Sequence, residues 1–236
     1  MKKVVISVSG GMDSVVLLHY IKKVLNKDPY VLSFYYKQKH GERELECAKY
    51  QTKQLDIDHK IVDISSINEF IAKGALSGNE AVPHEHYTSE NQKVTIVPNR
   101  NMILLSIATG YAVKIGADVV YYAAHSNDKT TYTDCRKEFV KALDSAIYLG
   151  NLWTPVELEA PFVDKSKADI VKIGLDLKVD FQQTYSCYEG KERPCLECGT
   201  CVERIEAFHK NSVKDPQLTD EEWDKGLTNL KRYGKL

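Results

Sequence analysis

The run from Ile6 to Leu17, ISVSGGMDSVVL, constrains the fold more than any other stretch of this chain. An apolar strand pattern ends at Val8, and apolar residues at helical spacing begin directly after the two glycines. Successive glycines let the backbone turn where a Cβ atom would clash, so that main-chain N–H groups and the next helix's N-terminus can face an anion. The stretch therefore predicts a strand, an anion-binding loop and a helix.

Strand and helix patterns alternate along the chain as far as residue 159. Apolar or β-branched runs predict strands at residues 4–8, 30–36, 60–64, 119–123 and 156–159. Among the helical patterns between them, the clearest covers residues 100–115 and is followed by Gly116 as the C′ residue. The alternation predicts an α/β fold with an open, doubly wound parallel sheet, whose ligands bind at the carboxyl ends of the strands.

Two segments depart from this alternation. Residues 74–99 have little periodicity, as expected of a functional lid or a disordered loop, and His84 and His86 within them fit a solvated loop better than a metal site. From about residue 176 the chain becomes rich in cysteine and then charged and helical. We therefore expect an α/β domain at 1–175, and a four-cysteine helical segment at 176–236 packed on it.

Charge and hydropathy exclude several classes of partner. Lys and Arg number 32 against 33 Asp and Glu, so the net charge of -1 provides no general attraction to nucleic acid or anionic lipid. No stretch approaches the roughly 18 to 20 uninterrupted apolar residues of a membrane span, and polar residues interrupt the N-terminal apolar run too early for a secretion signal. We expect a cytoplasmic protein without a membrane or nucleic-acid partner, in which cysteines are ligands or free thiols.

Four of the six cysteines have metal-ligand spacing. The pattern C-x7-C-x2-C-x2-C comprises Cys187, Cys195, Cys198 and Cys201. Close thiolates suit tetrahedral zinc, and a closed set of four indicates a structural site. An iron–sulfur cluster and unliganded thiols are the alternatives. Of the other two cysteines, Cys47 fits a core position, whereas Cys135 could lie near a substrate and, as the weaker reading, act as a catalytic thiol.

The glycine loop matches neither the P-loop nor the dinucleotide-binding spacing. It resembles instead the S-G-G-x-D-S signature of pyrophosphatase-loop ATP enzymes. That resemblance implies that the loop holds the β,γ-pyrophosphate of ATP through Val8, Ser9, Gly10, Gly11, Met12, Asp13 and Ser14. A carboxylate near phosphate needs an intervening cation, which makes magnesium the expected companion of Asp13. A simple tight turn, with Asp13 compensating the helix dipole, is the alternative.

Further motifs make the chain similar to the 7-cyano-7-deazaguanine synthase family, up to about residue 208. Tyr36, Gln38, His40 and Glu44 resemble that family's Y-G-Q-R-H segment and the glutamate that follows it. Residues 97–101 read V-P-N-R-N, residues 134–136 read D-C-R, and residues 184–188 read T-Y-S-C-Y, each similar to a family motif. The resemblance implies a fold of the adenine-nucleotide α-hydrolase-like type, with residues 1–175 as the nucleotide-binding domain, and a homodimer.

The resemblance also implies a reaction. The carboxylate of 7-carboxy-7-deazaguanine is adenylated by ATP and captured by ammonia as the amide, which is adenylated again so that AMP leaves and the nitrile forms. In this reading Asp13, Arg100 and Lys167 are catalytic, and Gln38, His40, Asp134 and Arg136 contact the deazapurine. From the residues alone, a surface ion pair for Arg100 and a solvated side chain for Lys167 are the alternatives.

Other functions compatible with the sequence differ in substrate or class. The same scaffold could stop at the amide, or adenylate another substrate as a tRNA-modifying ligase or thiolase. From a different class, a cysteine knuckle could bind nucleic acid without catalysis, although this segment has few interleaved aromatic or basic residues.

Overall fold

The fold is seen in a computed structural model, which describes residues 2–88 and 90–236. Ser89, in the predicted long loop, and Met1 lie outside the described residues. The strands are β1 (Lys3–Ser7), β2 (Asp28–Tyr35), β3 (His59–Asp63), β4 (Val119–Tyr121) and β5 (Glu157–Glu159). The helices are α1 (Met12–Lys23), α2 (Gly41–Gln54), α3 (Asn68–Ile71), α4 (Gly74–Ser77), α5 (Arg100–Ile115), α6 (Lys137–Gly150), α7 (Lys167–Asp176), α8 (Gly199–Lys210) and α9 (Asp220–Arg232).

The five strands form one parallel sheet in the order β3-β2-β1-β4-β5. β1 pairs with β2 from Lys3 opposite Asp28, and with β4 from Val4 opposite Val119. The predicted doubly wound sheet is therefore confirmed, with strand ends that differ from the predicted ones by up to two residues. The strand order reverses at β1, and the crevice that such a reversal leaves at the carboxyl ends is the usual ligand site.

Each face of the sheet is covered by its own helices. Val4 and Ile6 of β1 pack with α1 and α7, whereas Val5 between them faces the opposite side and joins the core formed with α5 and α6. Neighbouring residues of a strand point to opposite faces, and both faces of a parallel sheet are buried, which explains the continuous apolar runs. Gly116 ends α5 in the left-handed conformation at φ 68°, as predicted.

The C-terminal segment is built into this core. Val202, Ile205 and Phe208 of α8 are all buried, and Phe208 lies in the same core as α1. The same helix also buries Arg204, which pairs with Asp215 at 2.6 Å. The predicted charged helix is thus confirmed in α8, and ion pairs inside the protein compensate the charges that it buries. Within residues 2–88 and 90–236, no helix is both long and apolar enough to cross a bilayer.

The segment 74–99 packs against the rest of the molecule, so the disordered alternative is wrong, whereas the lid stays a prediction. It contains α4 and a 3₁₀ turn at Glu90–Thr95, and Thr95 is fully buried. Ala75 and Val82 pack against the predicted metal-binding cysteines, a long-range contact that leaves no local periodicity. The solvated-loop reading is wrong for His86, which is buried with its Nε2 3.8 Å from Glu206 Oε2.

Candidate functional site

A cavity of about 230 Å³ opens at the carboxyl ends of β1, β2 and β4. Its walls come from the glycine loop, from residues that follow β2 and β4, from the start of α5 and α7, and from the cysteine-rich segment. The site therefore lies where the strand order reverses, as the alternation of strands and helices predicts.

The glycine loop lies at one end of the cavity. Gly10 has φ 104°, and a Cβ atom there would lie 2.0 Å from the carbonyl oxygen of Glu44, so a side chain would meet α2. Ser9 Oγ accepts a hydrogen bond from the Gly11 N–H at 3.0 Å, and Ser14 Oγ accepts one from the Ser9 N–H at 3.2 Å. The hydroxyls thus hold the loop in shape at the open N-terminus of α1.

Val8 and Met12, the other two predicted loop residues, have core contacts. Val8 donates its N–H to Leu32 O at 2.9 Å, which extends the β1–β2 ladder by one residue. Met12 is fully buried among apolar side chains on the α1 face of the sheet. Ser9, Gly11, Asp13 and Ser14, as well as Val8, reach the cavity surface.

A buried ion cluster lies beside the loop. Lys167 Nζ is 2.6 Å from Asp13 Oδ2 and 3.2 Å from Glu203 Oε2. The reading of Lys167 as a solvated lysine is wrong, because its side chain is only 7% exposed. Burial opposes a charge on Lys167, but Asp13 and Glu203 more than compensate and raise its pKa. One oxygen of each acid, Asp13 Oδ1 and Glu203 Oε1, is buried without a hydrogen-bond partner among the described residues.

His125 and Asp128 complete the cluster. His125 Nε2 lies 3.3 Å from Asp128 Oδ2, 3.7 Å from Asp13 Oδ2 and 3.3 Å from Lys167 Nζ. Burial alone would lower the pKa of His125, but the two carboxylates, Asp128 first, raise it to about 9. Burial likewise acts to raise the pKa of Asp13, yet Lys167 and His125 hold it well below its ordinary value. At neutral pH the cluster thus holds two cations facing anions.

The other end of the cavity is aromatic and contains one guanidinium group. Arg100, at the start of α5, lies near Tyr36, Asp134 and Tyr188 and lines the cavity rather than the outer surface. The Tyr188 hydroxyl is 3.0 Å from that of Tyr132, which in turn is 2.6 Å from Thr95 Oγ1. This end can therefore hold a flat, polar ring with an anionic substituent.

Gln38 and His40 lie between the two ends. Gln38 accepts a hydrogen bond from Tyr36 N–H at 2.9 Å and donates one to Phe34 O at 3.1 Å, so its amide supports the end of β2. The His40 ring lies against Tyr188, with the ring centres 5.4 Å apart. Burial and the nearby Arg100 lower the pKa of His40 to about 3, which keeps the ring neutral.

The D-C-R motif contributes its cysteine to the cavity. Cys135 lines the wall, whereas Asp134 and Arg136 are not among the lining residues. Arg136 is exposed and donates to the carbonyl of Lys129 at 2.9 Å. Burial, together with Asp128 and Asp134, raises the pKa of Cys135 well above its ordinary value, so the group remains a thiol and not a nucleophilic thiolate.

The four predicted cysteine ligands come together. Their sulfur atoms all lie within 4.8 Å of one another, with Cys195 Sγ 3.9 Å from Cys201 Sγ and Cys187 Sγ 4.0 Å from Cys198 Sγ. Tetrahedral zinc with Zn–S bonds of 2.3 Å requires a separation of about 3.8 Å between sulfurs. The N–H of Cys198 points at Cys195 Sγ, 3.2 Å away, as expected of a knuckle turn. The cluster can hold a metal ion.

Several site residues were assigned no role from the sequence. Glu203 follows Cys201 on α8, where it looks like an ordinary surface acid, and only the packing of α8 brings it to Lys167. His125 could have been found, because it follows β4 and the carboxyl ends of parallel strands share one edge of the sheet. The same reasoning applies less directly to Asp128 and Tyr132, which lie further along that connection.

Comparison with known proteins places this site in context. In fold, the chain is similar to the solved structure of the NMN synthetase from Francisella tularensis, with a TM-score of 0.53 and 13% identity over 100% of this chain and 87% of that one. In sequence, it is 58% identical to the 7-cyano-7-deazaguanine synthase of Archaeoglobus fulgidus over 94% of this chain and 92% of that protein.

Another relative and a family model agree with this result. The 7-cyano-7-deazaguanine synthase of Hahella chejuensis is 49% identical over 88% of this chain and 89% of its own length. The family described as "Queuosine biosynthesis protein QueC" matches residues 3–212, which include the glycine loop, the cavity and the four cysteines. The chain therefore belongs to the QueC family of queuosine biosynthesis proteins.

Proposed function

We propose that this chain is an ATP-dependent ligase that converts 7-carboxy-7-deazaguanine and ammonia into 7-cyano-7-deazaguanine, through adenylated intermediates and an amide. The observation that carries the proposal is that one cavity joins the S-G-G-M-D-S loop to an aromatic end with Arg100. Such a cavity can hold a phosphate chain and a flat carboxylated base at once, which an adenylation requires. The identity of 58% and 49% to two proteins named 7-cyano-7-deazaguanine synthase supports this substrate.

In this proposal the loop holds the phosphates of ATP. Ser9 and Ser14 shape the loop so that the N-terminus of α1 faces the pyrophosphate. Lys167 is already charged and fixed by Asp13 and Glu203, so it can stabilise negative charge as pyrophosphate leaves. Arg100 binds the substrate carboxylate where the aromatic end meets the rest of the cavity, close to His40 and Glu44. Of the four residues predicted to contact the base, Gln38 and His40 line the cavity, and we retain these two.

Two metals belong to the proposal. The unpartnered oxygen of Asp13 is buried beside the loop and suits magnesium, which would neutralise phosphate charge there. Zinc suits the four cysteines, where it would join the knuckle to α8 without touching substrate.

Cys198→Ser should lower the zinc content and the thermal stability together, whereas Cys47→Ser should change neither metal content nor stability strongly. Normal zinc content in Cys198→Ser would contradict this assignment.

The test of the function is product analysis. The purified protein is incubated with ATP, magnesium, an ammonium salt and 7-carboxy-7-deazaguanine, and the bases and nucleotides are identified by mass spectrometry. The proposal predicts the nitrile, with AMP and pyrophosphate. Amide alone would mean that the enzyme stops at the first product, and no conversion would overturn the proposal in favour of another adenylated substrate.

The assembly and location are also proposals. We propose a homodimer in the cytoplasm, on the resemblance to the synthase family. Four large apolar side chains near the end of α6 are more than half exposed, as expected of a surface that another protein covers: Tyr148, Leu149, Leu152 and Trp153. Light scattering after size-exclusion chromatography tests the proposal, and a mass of one chain at micromolar concentration would contradict it.

A further inference from the structure

The proposed reaction needs a proton acceptor that the residues discussed so far do not supply. Attack of ammonia on the acyl adenylate forms a C–N bond and breaks the bond from carbon to the phosphate oxygen, so that AMP leaves with the electron pair and nitrogen loses one proton. Conversion of the amide into the nitrile removes two further protons from the same nitrogen, one on O-adenylation and one as AMP is eliminated. The carboxylates of Asp13 and Glu203 are paired with Lys167, and that of Asp128 is paired with His125. His40 lies beside Arg100, so none of these four residues is suited to accept the protons.

We infer that Glu44 is the catalytic base that takes protons from the ammonia nitrogen. Its carboxylate lines the cavity between the loop and the aromatic end. On the loop side, a Cβ atom built on Gly11 would be 3.8 Å from Glu44 Oε1. On the other side, Glu44 Oε2 lies 3.6 Å from His40 Nε2, next to Tyr188. The inference rests on the proposed function, because it assigns one step of that reaction.

The position of Glu44 follows from what must bind on either side of it. The reacting carbon is joined to the α-phosphate, which the loop end holds, and to the deazapurine ring, which the aromatic end holds. It therefore lies between the two ends, where Glu44 is the carboxylate. Side-chain exposure of 14% leaves Glu44 a route by which it can return its protons to water. General base catalysis works best when the pKa of the base is close to the working pH.

The surroundings of Glu44 bring its pKa close to neutral pH. Burial raises the pKa of Glu44 to about 7, against the opposing influence of Arg100 and of hydrogen bonds from Ser9 and Gln38. The other titratable groups around it are His40, which is neutral, Tyr36 at the end of β2, and Cys47 on the same helix. Glu44 is therefore divided between a carboxylate, which can accept a proton, and an acid, which can release it.

The test compares Glu44→Gln with Glu46→Gln. Glu46 lies two residues further along α2, with 62% of its side chain exposed and paired with Arg43 outside the cavity. Exchange of labelled pyrophosphate into ATP, with 7-carboxy-7-deazaguanine but no ammonium, measures the first adenylation alone. The formation of amide and nitrile from ammonium measures the steps that remove protons from nitrogen. In a third assay hydroxylamine replaces ammonium, because it is uncharged at neutral pH and is a nucleophile that is easier to deprotonate.

Glu44→Gln should retain pyrophosphate exchange but lose about 100-fold or more in amide and nitrile formation. Hydroxylamine should restore much of the first product as the hydroxamate. The rise of turnover across neutral pH that we expect of the wild type should be absent from this variant. Glu46→Gln should resemble the wild type in every assay. Equal loss of exchange and of amide formation, in a variant that still unfolds cooperatively, would assign Glu44 to loop structure and overturn the inference.

Two other results are equally decisive. Normal nitrile formation by Glu44→Gln would overturn the inference while leaving the proposed function intact. A wild-type protein that exchanges no pyrophosphate and forms no nitrile would overturn the proposed function itself, and with it the role of Glu44.

Discussion

At the scale of single residues, the site depends on charges buried against each other. Three acids and two cations share the cluster of Asp13, Asp128, Glu203, Lys167 and His125. Removing one partner of a buried pair leaves the other charge uncompensated, which costs more than the pair itself contributes. Each member therefore affects both stability and chemistry, and the two effects can be measured separately.

Lys167→Met should lower both the stability of the folded protein and its activity. Asp13 and Glu203 would lose the cation between them, so we expect the free energy of unfolding to fall by about 3 to 5 kcal/mol. Pyrophosphate exchange should fall by about 100-fold or more, since developing phosphate charge loses its fixed partner. Lys172→Met, at an exposed position of the same helix, is the matched control. Chemical denaturation and the exchange assay provide the two readouts, and wild-type exchange in Lys167→Met would remove it from the site.

His125 should make stability depend on pH above neutrality. Its pKa is raised from 6.5 in the unfolded chain to about 9, so its stabilisation is complete below about pH 6.5 and is lost as the pH rises through about 9. A shift of this size corresponds to roughly 3 kcal/mol. The difference in unfolding free energy between the wild type and His125→Gln should shrink across this interval, measured without nucleotide or magnesium. A constant difference would show that His125 is not charged in the folded protein.

At the scale of elements, the close approach of the loop to α2 fixes the geometry of the site. Gly10→Ala would place a Cβ atom 2.0 Å from the carbonyl of Glu44 at φ 104°. We expect a loss of more than about 2 kcal/mol in stability, together with most of the activity. Gly110→Ala is the control, because a Cβ atom at that position would have no described atom within 4 Å apart from its chain neighbours and the backbone of α5 itself. That variant should gain roughly 0.5 to 1 kcal/mol, and equal effects of both changes in thermal denaturation would contradict the argument.

The sequence predicted these elements better than it predicted how they meet. Strands, α5 and the four cysteines each have a local pattern, and the structure confirms them. The 74–99 segment and α8 have weak patterns because their packing partners are distant in sequence, as Val82 is from Cys187. Glu203 is the clearest example, since its role depends on α7 and α8 packing side by side. Contacts of this kind leave no signal in the spacing of residues along one element.

At the scale of the whole molecule, residues 176–236 complete the core of the rest. The predicted division at about residue 175 stays a prediction, and cooperativity tests whether the two parts fold independently. Trp153 is 98% exposed, so its fluorescence should change little on unfolding, whereas Trp223 of α9 packs against α8. In a Trp153→Phe variant, fluorescence therefore follows the C-terminal part alone, while far-ultraviolet circular dichroism follows the whole chain.

We expect the two transitions to coincide in urea. Phe208 lies in one core with α1, and Lys167 is paired with Glu203, so neither part can lose its structure without exposing the other. The proposed zinc should be kept saturating throughout the titration, because loss of a metal from the four cysteines would add a separate step. Fluorescence that changes at a lower urea concentration than the dichroism would contradict this and establish two independently folding domains.

The strand order has a consequence for how the chain is made. β1 emerges from the ribosome before β2 and can pair with it soon afterwards, but its other edge has to wait for β4, whose residues Val119–Tyr121 come only after α5. At 5 to 20 residues per second, the synthesis of the intervening chain takes roughly 5 to 20 seconds. Throughout that time β1, whose Val4, Val5 and Ile6 are fully buried in the folded protein, has an edge of unpaired backbone groups flanked by apolar side chains, the kind on which chains aggregate. The central strand that positions the site is thus also the part of the nascent chain most in need of protection.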